Sequence, residues 1–438
     1  MKAIALLACG LMACAGAKAQ FGVYTPSEVT RFTDPGTGVE LTLLTDTAKN
    51  DRFMYQTDPM WTADGNHILF RSSGRQAGVG RKGKGGKARP QTQYYFIDVP
   101  TGRIVQATDG EGIGGVFLAN RSNRMFFSRR EGDKWNMYAM ELGRFFADAD
   151  AGKCGKAADY ATLIGTFPGE MGRPGGFCVN SDDSYAFITV SREGTEEERR
   201  RMEAKAFRPR GDQPLKVKPA LSGIRKMDLR TGEVTPVIDT EFRIGHIQAS
   251  RFAPYEIVFC NETGGDADQR MWYCRADSST YRPLYRETPL DWVTHETFAS
   301  KDYVYFNILG FQPRLRKQAT GIFRINLRTD DVEPLGQVEL GGDGSMLRGR
   351  GFWHCNASRD DKWATGDTFA GNVWIINTET GERHRIATGT VMRPDHAQPS
   401  FSPDGTRLLF QSGRFSGGKR LTLVMVDLTQ LPYFPARR

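Results

Sequence analysis

Short apolar runs with alternating spacing, bounded by turn residues, dominate this chain, and helical spacing is rare. PSFSPDGTRLLFQS (399–412) shows the pattern in compact form. Asp404-Gly405 predicts a tight turn, and Leu408, Leu409 and Phe410 predict the strand after it. The same order recurs: a polar or histidine-bearing strand, a turn, an apolar strand, a second apolar strand ending near Asp, a Thr-Gly turn and an outer strand. Six copies begin at Asp58, Gly114, Gly175, His246, His295 and Phe352. The seventh is HAQPSFSPDGTRLLFQSGR (396–414) with KRLTLVMVDL (419–428), and it ends before its Thr-Gly turn and outer strand. TGVELTLLTD (37–46) has that missing sequence and precedes the first copy.

Seven units of about fifty residues, each unable to bury its faces alone, predict an all-β, seven-bladed β-propeller. The N-terminal strand should complete the last blade and remove the open edge. One segment reads as a helix, EGTEEERRRMEAKAF (193–207), inserted between two strands of blade three. GRQAGVGRKGKGGKARP (74–90) is a Gly-rich, basic insertion without the strand-to-helix context of a phosphate loop. It is expected to be a loop able to meet an anionic ligand, as is the basic stretch 200–218.

The first nineteen residues read as a cleavable signal peptide: Lys2, an apolar run from Ala3 to Ala15, and Ala17-Lys18-Ala19 before Gln20. The run is too short for a transmembrane segment. Leu11-Met12-Ala13-Cys14 also loosely resembles a lipoprotein box, so anchoring at Cys14 is the alternative. A periplasmic or secreted location is expected, with residues 20–438 forming one propeller domain. The net charge is +8 and falls to +6 without Lys2 and Lys18. A basic exported protein suits an acidic partner: nucleic acid, anionic envelope or acidic polysaccharide. Of the seven cysteines, Cys154, Cys178, Cys260, Cys274 and Cys355 lie beyond the leader, and their spacing fits no zinc site. Cys260 and Cys274 fall on neighbouring predicted strands, and an oxidising compartment would allow a disulfide between them.

Only six histidines occur, and four sit near the start of an innermost strand: His246, His295, His354 and His396. Innermost strands line a propeller's channel, so these four should converge at one mouth from blades four to seven. Meeting imidazoles suit a divalent cation, with Gln398, Asp395 or Glu296 as oxygen donors and one histidine kept as a base. His67 and His384 fall elsewhere in the repeat and read as structural or surface residues.

Gly245-His246, Thr294-His295-Glu296, Trp353-His354 and His396-Ala397-Gln398-Pro399-Ser400-Phe401 follow the order seen in oligogalacturonate lyases, a family this chain resembles over most of its length. The resemblance implies a seven-bladed propeller with Mn2+ or another divalent cation, cleaving an acidic, uronate-containing oligosaccharide by β-elimination rather than binding nucleic acid. It implies His246 as the base, Arg225 as the catalytic arginine, and His295, His396 and Gln398 as metal ligands. The family's last ligand group, Gln-x-x-His-x-His, reads Arg393, His396 and Gln398 here. Arg393 cannot ligate a cation, but it could clamp a substrate carboxylate, with His354 and Trp353 as further substrate contacts and Trp292 as a second stacking surface. The Ser-Pro-Asp-Gly repeat also resembles TolB-type propellers. A non-catalytic propeller binding an envelope glycan or protein, or an enzyme for another acidic glycan, therefore stands as the competing expectation.

Overall fold

The structure, a computed structural model, describes residues 20–434 except 76–79, 83–87, 206, 211–212, 217–220, 264, 279, 311, 340–350 and 391. The leader and much of the two basic insertions therefore lie outside the described residues. Seven antiparallel sheets follow one another around a channel, as the repeats predict. Blade two is Ile113–Leu118, Arg124–Glu131, Lys134–Glu141 and Ala161–Thr166, and blade four is Ile244–Ala249, Glu256–Asn261, Met271–Arg275 and Tyr281–Pro283. In each, the first strand faces the channel and the last faces out.

Closure occurs where the incomplete seventh copy predicts it. Glu40–Leu43 pairs with Thr422–Asp427, placing Thr42 against Met425 and Leu43 against Val424. Thr30–Thr33 adds a fifth strand outside it, which the repeat pattern does not show. Further upstream, Tyr24–Thr25 pairs with Thr25 against Ile104 on the outer edge of blade one. The N-terminal segment thus covers the outer edges of the two blades that meet at closure.

The core lies between the blades. Five apolar clusters each join residues of neighbouring sheets; one packs Leu409 and Leu423 of blade seven against Ile68, Phe70 and Tyr95 of blade one. Each such buried side chain stabilises the ring by roughly 1.5–3 kcal/mol. Polar ties supplement them. Asp34, fully buried in the turn before the closing strand, accepts from Arg414 of blade seven at 2.7 Å and from the Thr388 backbone of blade six at 3.0 Å.

Two expectations need correction. A second helix, Leu142–Asp150, sits between the third and fourth strands of blade two. Its buried Leu142, Phe145, Phe146 and Ala149 follow helical spacing that the surrounding strands mask. The predicted charged helix forms at Glu196–Lys205. The Cys260–Cys274 disulfide does not form. Cys260 opposes Met271 while Cys274 opposes Ile257, so the thiols lie three register positions apart and on opposite faces. His67 stacks on Phe146 and His384 on Tyr433, both away from the channel cluster.

Asp34→Ala should lower stability by about 2–4 kcal/mol, because it leaves the Arg414 guanidinium and the Thr388 amide without their shared acceptor. Urea unfolding would measure this, and a change within experimental error would remove Asp34 from the closure.

Candidate active site

The channel-facing strands are not regular. In blade four the register slips between Gly245 and Gln248, and in blade five between Thr294 and Thr297. Each slip is a bulge, and its first residue is a histidine in the left-handed region: His246 with φ 45° and His295 with φ 58°. Gln398 has φ 51° two residues before the blade-seven inner strand begins at Ser400. A left-handed bend in a non-glycine residue costs roughly 1–2 kcal/mol and re-aims the side chain. Here that bend recurs at equivalent positions of three blades.

Blade one supplies the packing between them. Its inner strand is interrupted between Phe53 and Met60, and the extra residues cross the channel. Gln56 donates to the Cys355 carbonyl at 2.9 Å, and Asn356 donates to the Gln56 carbonyl at 2.8 Å. Arg251 donates to the Thr57 carbonyl at 2.9 Å. Tyr55 then stands edge-on to His246, ring centroids 4.9 Å apart, and 6.3 Å from His354. Burial, with the Glu296 charge behind it, keeps its phenol protonated far above the usual range.

On one side of Tyr55 lies His246, half-buried, with Nε2 3.3 Å from a Glu262 carboxylate oxygen. Beneath this pair, buried Arg270 sits 3.7 Å from both Glu262 and Glu296. Arg270 lies too close to admit a second cation, so His246, Cys260 and Glu262 do not form a metal site despite their proximity. Burial, eased only in part by Arg270, holds the Cys260 thiol well above its usual range, which also disfavours ligation.

On the other side lie His295, His354 and His396. Ring centroids are 4.1 Å apart for His295 and His354 and 5.2 Å for His354 and His396. His354 is 3% exposed, and its Nδ1 lies 2.9 Å from Asp367. That carboxylate also accepts from the backbone amides of His354, Ala397 and Gln398. Burial opposes its ionisation, but the neighbouring His354, through its ring and its backbone amide, and His396 beyond it hold its pKa down to about 2. Burial, then the neighbouring His354, keeps the His295 imidazole neutral well below its ordinary range, and its buried Nδ1 has no partner among the described residues. Burial also lowers His396 against the opposing pull of Asp367. Converging imidazoles are the donor set a divalent transition ion takes.

The remaining predicted residues fall apart from this cluster. Arg225 is on the third strand of blade three, its guanidinium bonded to Asp239 at 2.8 Å and to the Met171 carbonyl, so it is tied within its own blade. Arg393 is exposed, and no bond among the described residues joins it to the histidines. Gln398 turns its amide toward Asp395 at 3.4 Å, and Asp395 is held by Arg52 at 3.1 Å. His354 is too enclosed for sugar contact and belongs with the imidazoles instead. Trp353 lays one face along His396, with centroids 5.4 Å apart. Sequence reasoning missed Tyr55, Glu262, Arg270 and Asp367. Glu262 and Asp367 close second strands that each pair with a histidine-bearing inner segment, and this two-strand register was the available signal.

A seven-bladed propeller with a carboxylate-paired histidine and a separate imidazole cluster at one channel mouth has the makings of a cation-assisted enzyme. A family model described as oligogalacturonate lyase matches residues 175–430, and the chain belongs to that family. It is 24% identical over 421 residues to an oligogalacturonate lyase of Dickeya dadantii (strain 3937), covering 91% of this chain and 94% of that one. A solved oligogalacturonate lyase in complex with manganese superposes with TM-score 0.69 at 19% identity, covering 93% of this chain and 98% of its own. A solved oligogalacturonate lyase from Vibrio parahaemolyticus gives 0.66 at 18% identity, with 94% and 98% covered. The two structural likenesses establish the fold.

Asp367→Asn should cost about 2–3 kcal/mol at neutral pH, since an amide cannot accept all of these N–H groups. The carboxylate is favoured in the folded state, so its contribution is complete above 3.8 and fades as pH falls through about 2. The stability gap between wild type and variant should therefore narrow in acid, and a gap independent of pH would contradict the assignment.

Proposed function

We propose that the protein is an exported oligogalacturonate lyase that uses His246 as its base. The observation that carries this reading is the division of the channel mouth into two unlike halves: a histidine paired with a carboxylate, and three converging imidazoles beside it. Elimination from a uronide needs both. The C5 proton is α to a carboxylate, so its removal loads negative charge onto an anion. A divalent cation on the imidazoles supplies the positive charge that stabilises this build-up.

This chain's residues do the rest. Glu262 faces His246 Nε2 at 3.3 Å, which favours the tautomer with its proton on Nε2 and a lone pair on Nδ1. Nδ1 then takes the C5 proton, the C4–C5 double bond forms, and the C4–O bond breaks with its electron pair leaving on oxygen. Tyr55 holds the imidazole plane from the side. Arg270, 3.7 Å from Glu262, sets a fixed positive charge behind the pair. The insertions of blades one and three both leave the ends of second strands. They emerge at the mouth where the inner strands begin, which suits their basic sequences to guiding an anionic oligosaccharide. The leader supports action in the periplasm or outside the cell, and no described helix is long and apolar enough to cross a membrane. A docking propeller would need neither the His246–Glu262 pair nor the buried Arg270.

Mature protein incubated with oligogalacturonate and Mn2+ should release an unsaturated product seen by ultraviolet absorbance. His246→Ala should reduce the rate between about 10²- and 10⁴-fold while leaving the melting temperature unchanged. Full activity in that variant would remove His246 as the base. EDTA should suppress the wild-type reaction and added Mn2+ should restore it; a rate indifferent to both would contradict cation assistance.

A further inference from the structure

We infer that this chain completes its cation site with His354, held by Asp367, and not with the residues at 393 and 398. The inference rests on the reading above only in supposing that a divalent cation binds at this mouth.

His354 is the middle ring of the cluster. Its Nδ1 is committed to Asp367, and its backbone amide bonds to the same carboxylate oxygen, so the ring cannot swing. The remaining donor, Nε2, lies on the opposite edge of a ring flanked by His295 and His396. Asp367 itself is occupied: one oxygen takes the His354 amide and ring, the other the amides of Ala397 and Gln398. It therefore serves as the anchor of a carboxylate–histidine–cation arrangement, which fixes the ring and raises its basicity. Two imidazoles sharing one ion, each with its nitrogen about 2 Å away, place their centroids roughly 4.5–5.5 Å apart. The 5.2 Å between His354 and His396 matches, and the 4.1 Å between His295 and His354 is somewhat closer.

The residues at 393 and 398 do not compete for this role. Arg393 is exposed. Gln398 faces Asp395, which Arg52 draws toward blade one. Replacing amide oxygen by imidazole nitrogen also has a consequence for selectivity. A nitrogen-rich site disfavours Mg2+ and Ca2+, and it binds Co2+ and Ni2+ more tightly than Mn2+.

The test is titration of the metal-free full protein with Mn2+ by calorimetry, alongside electron spin-echo spectroscopy of the wild-type Mn2+ complex. His354→Gln should weaken Mn2+ by at least about 100-fold and Asp367→Asn by about 10- to 100-fold, while Gln398→Ala and Arg393→Ala stay within about threefold. The spin-echo spectrum should show nitrogen coupling from three imidazoles, and it needs no variant to fold. Wild-type affinity in folded His354→Gln, a large loss in Gln398→Ala, or coupling from only two imidazoles would each overturn the inference. Lyase assays on the same samples separate the two readings. Wild type that binds Mn2+ through three imidazoles yet leaves oligogalacturonate intact would sink the function and keep the ligand set.

Discussion

Everything at the channel mouth depends on closing the ring. The histidines come from four successive blades, and none has a partner histidine within its own sheet. Their spacing is set by how tightly seven sheets pack, and that is fixed only when Glu40–Leu43 pairs with Thr422–Asp427. Asp34 ties this joint to blades six and seven, the two that carry His354 and His396. A propeller open at this seam would let the apolar contacts between blades seven and one part, and the imidazole cluster would lose its geometry without losing any residue.

Within the closed ring, the site is built by local departures from regular β-structure. The left-handed bends at His246, His295 and Gln398 turn three side chains out of the pleat. The extra residues of blade one bring Tyr55 between the base and the cluster and brace it through Gln56 to blade six. Polar groups buried by these departures are held by charge: Arg270 between Glu262 and Glu296, and Asp367 against His354. The strain and the buried charge are tolerated because the apolar clusters between blades hold the frame.

Much of this was legible in the sequence. Periodicity and the misplaced seventh outer strand carry the fold, because pairing and closure leave direct marks on alternation. The four convergent histidines were legible because the repeat sets each near the start of an innermost strand, although the place in blade seven equivalent to His246 and His295 is Gln398 and His396 precedes it by two residues. The partners were not. Asp367 and Glu262 act through cross-strand register, which depends on where a bulge falls, and TGD or CNE in sequence reads as an ordinary strand end. Tyr55 lies in what reads as a connection before the first copy. Arg225 misled because linear distance from a motif says nothing about which strand of a blade faces the channel, and its strand is third from the axis. The helix Leu142–Asp150 hid for a related reason: two turns of helical spacing are easily absorbed into neighbouring apolar strands.

The most direct test of the central claim, that the mouth is divided between a base and a cation-holding cluster, is a crystal structure of His246→Ala with Mn2+ and an uncleaved oligogalacturonate. The account predicts manganese among His295, His354 and His396, one uronate carboxylate turned toward it, and that sugar's C5 facing the space vacated at position 246. A sugar bound with its carboxylate at the opposite mouth, beside Arg251, or a C5 turned away from position 246, would contradict it.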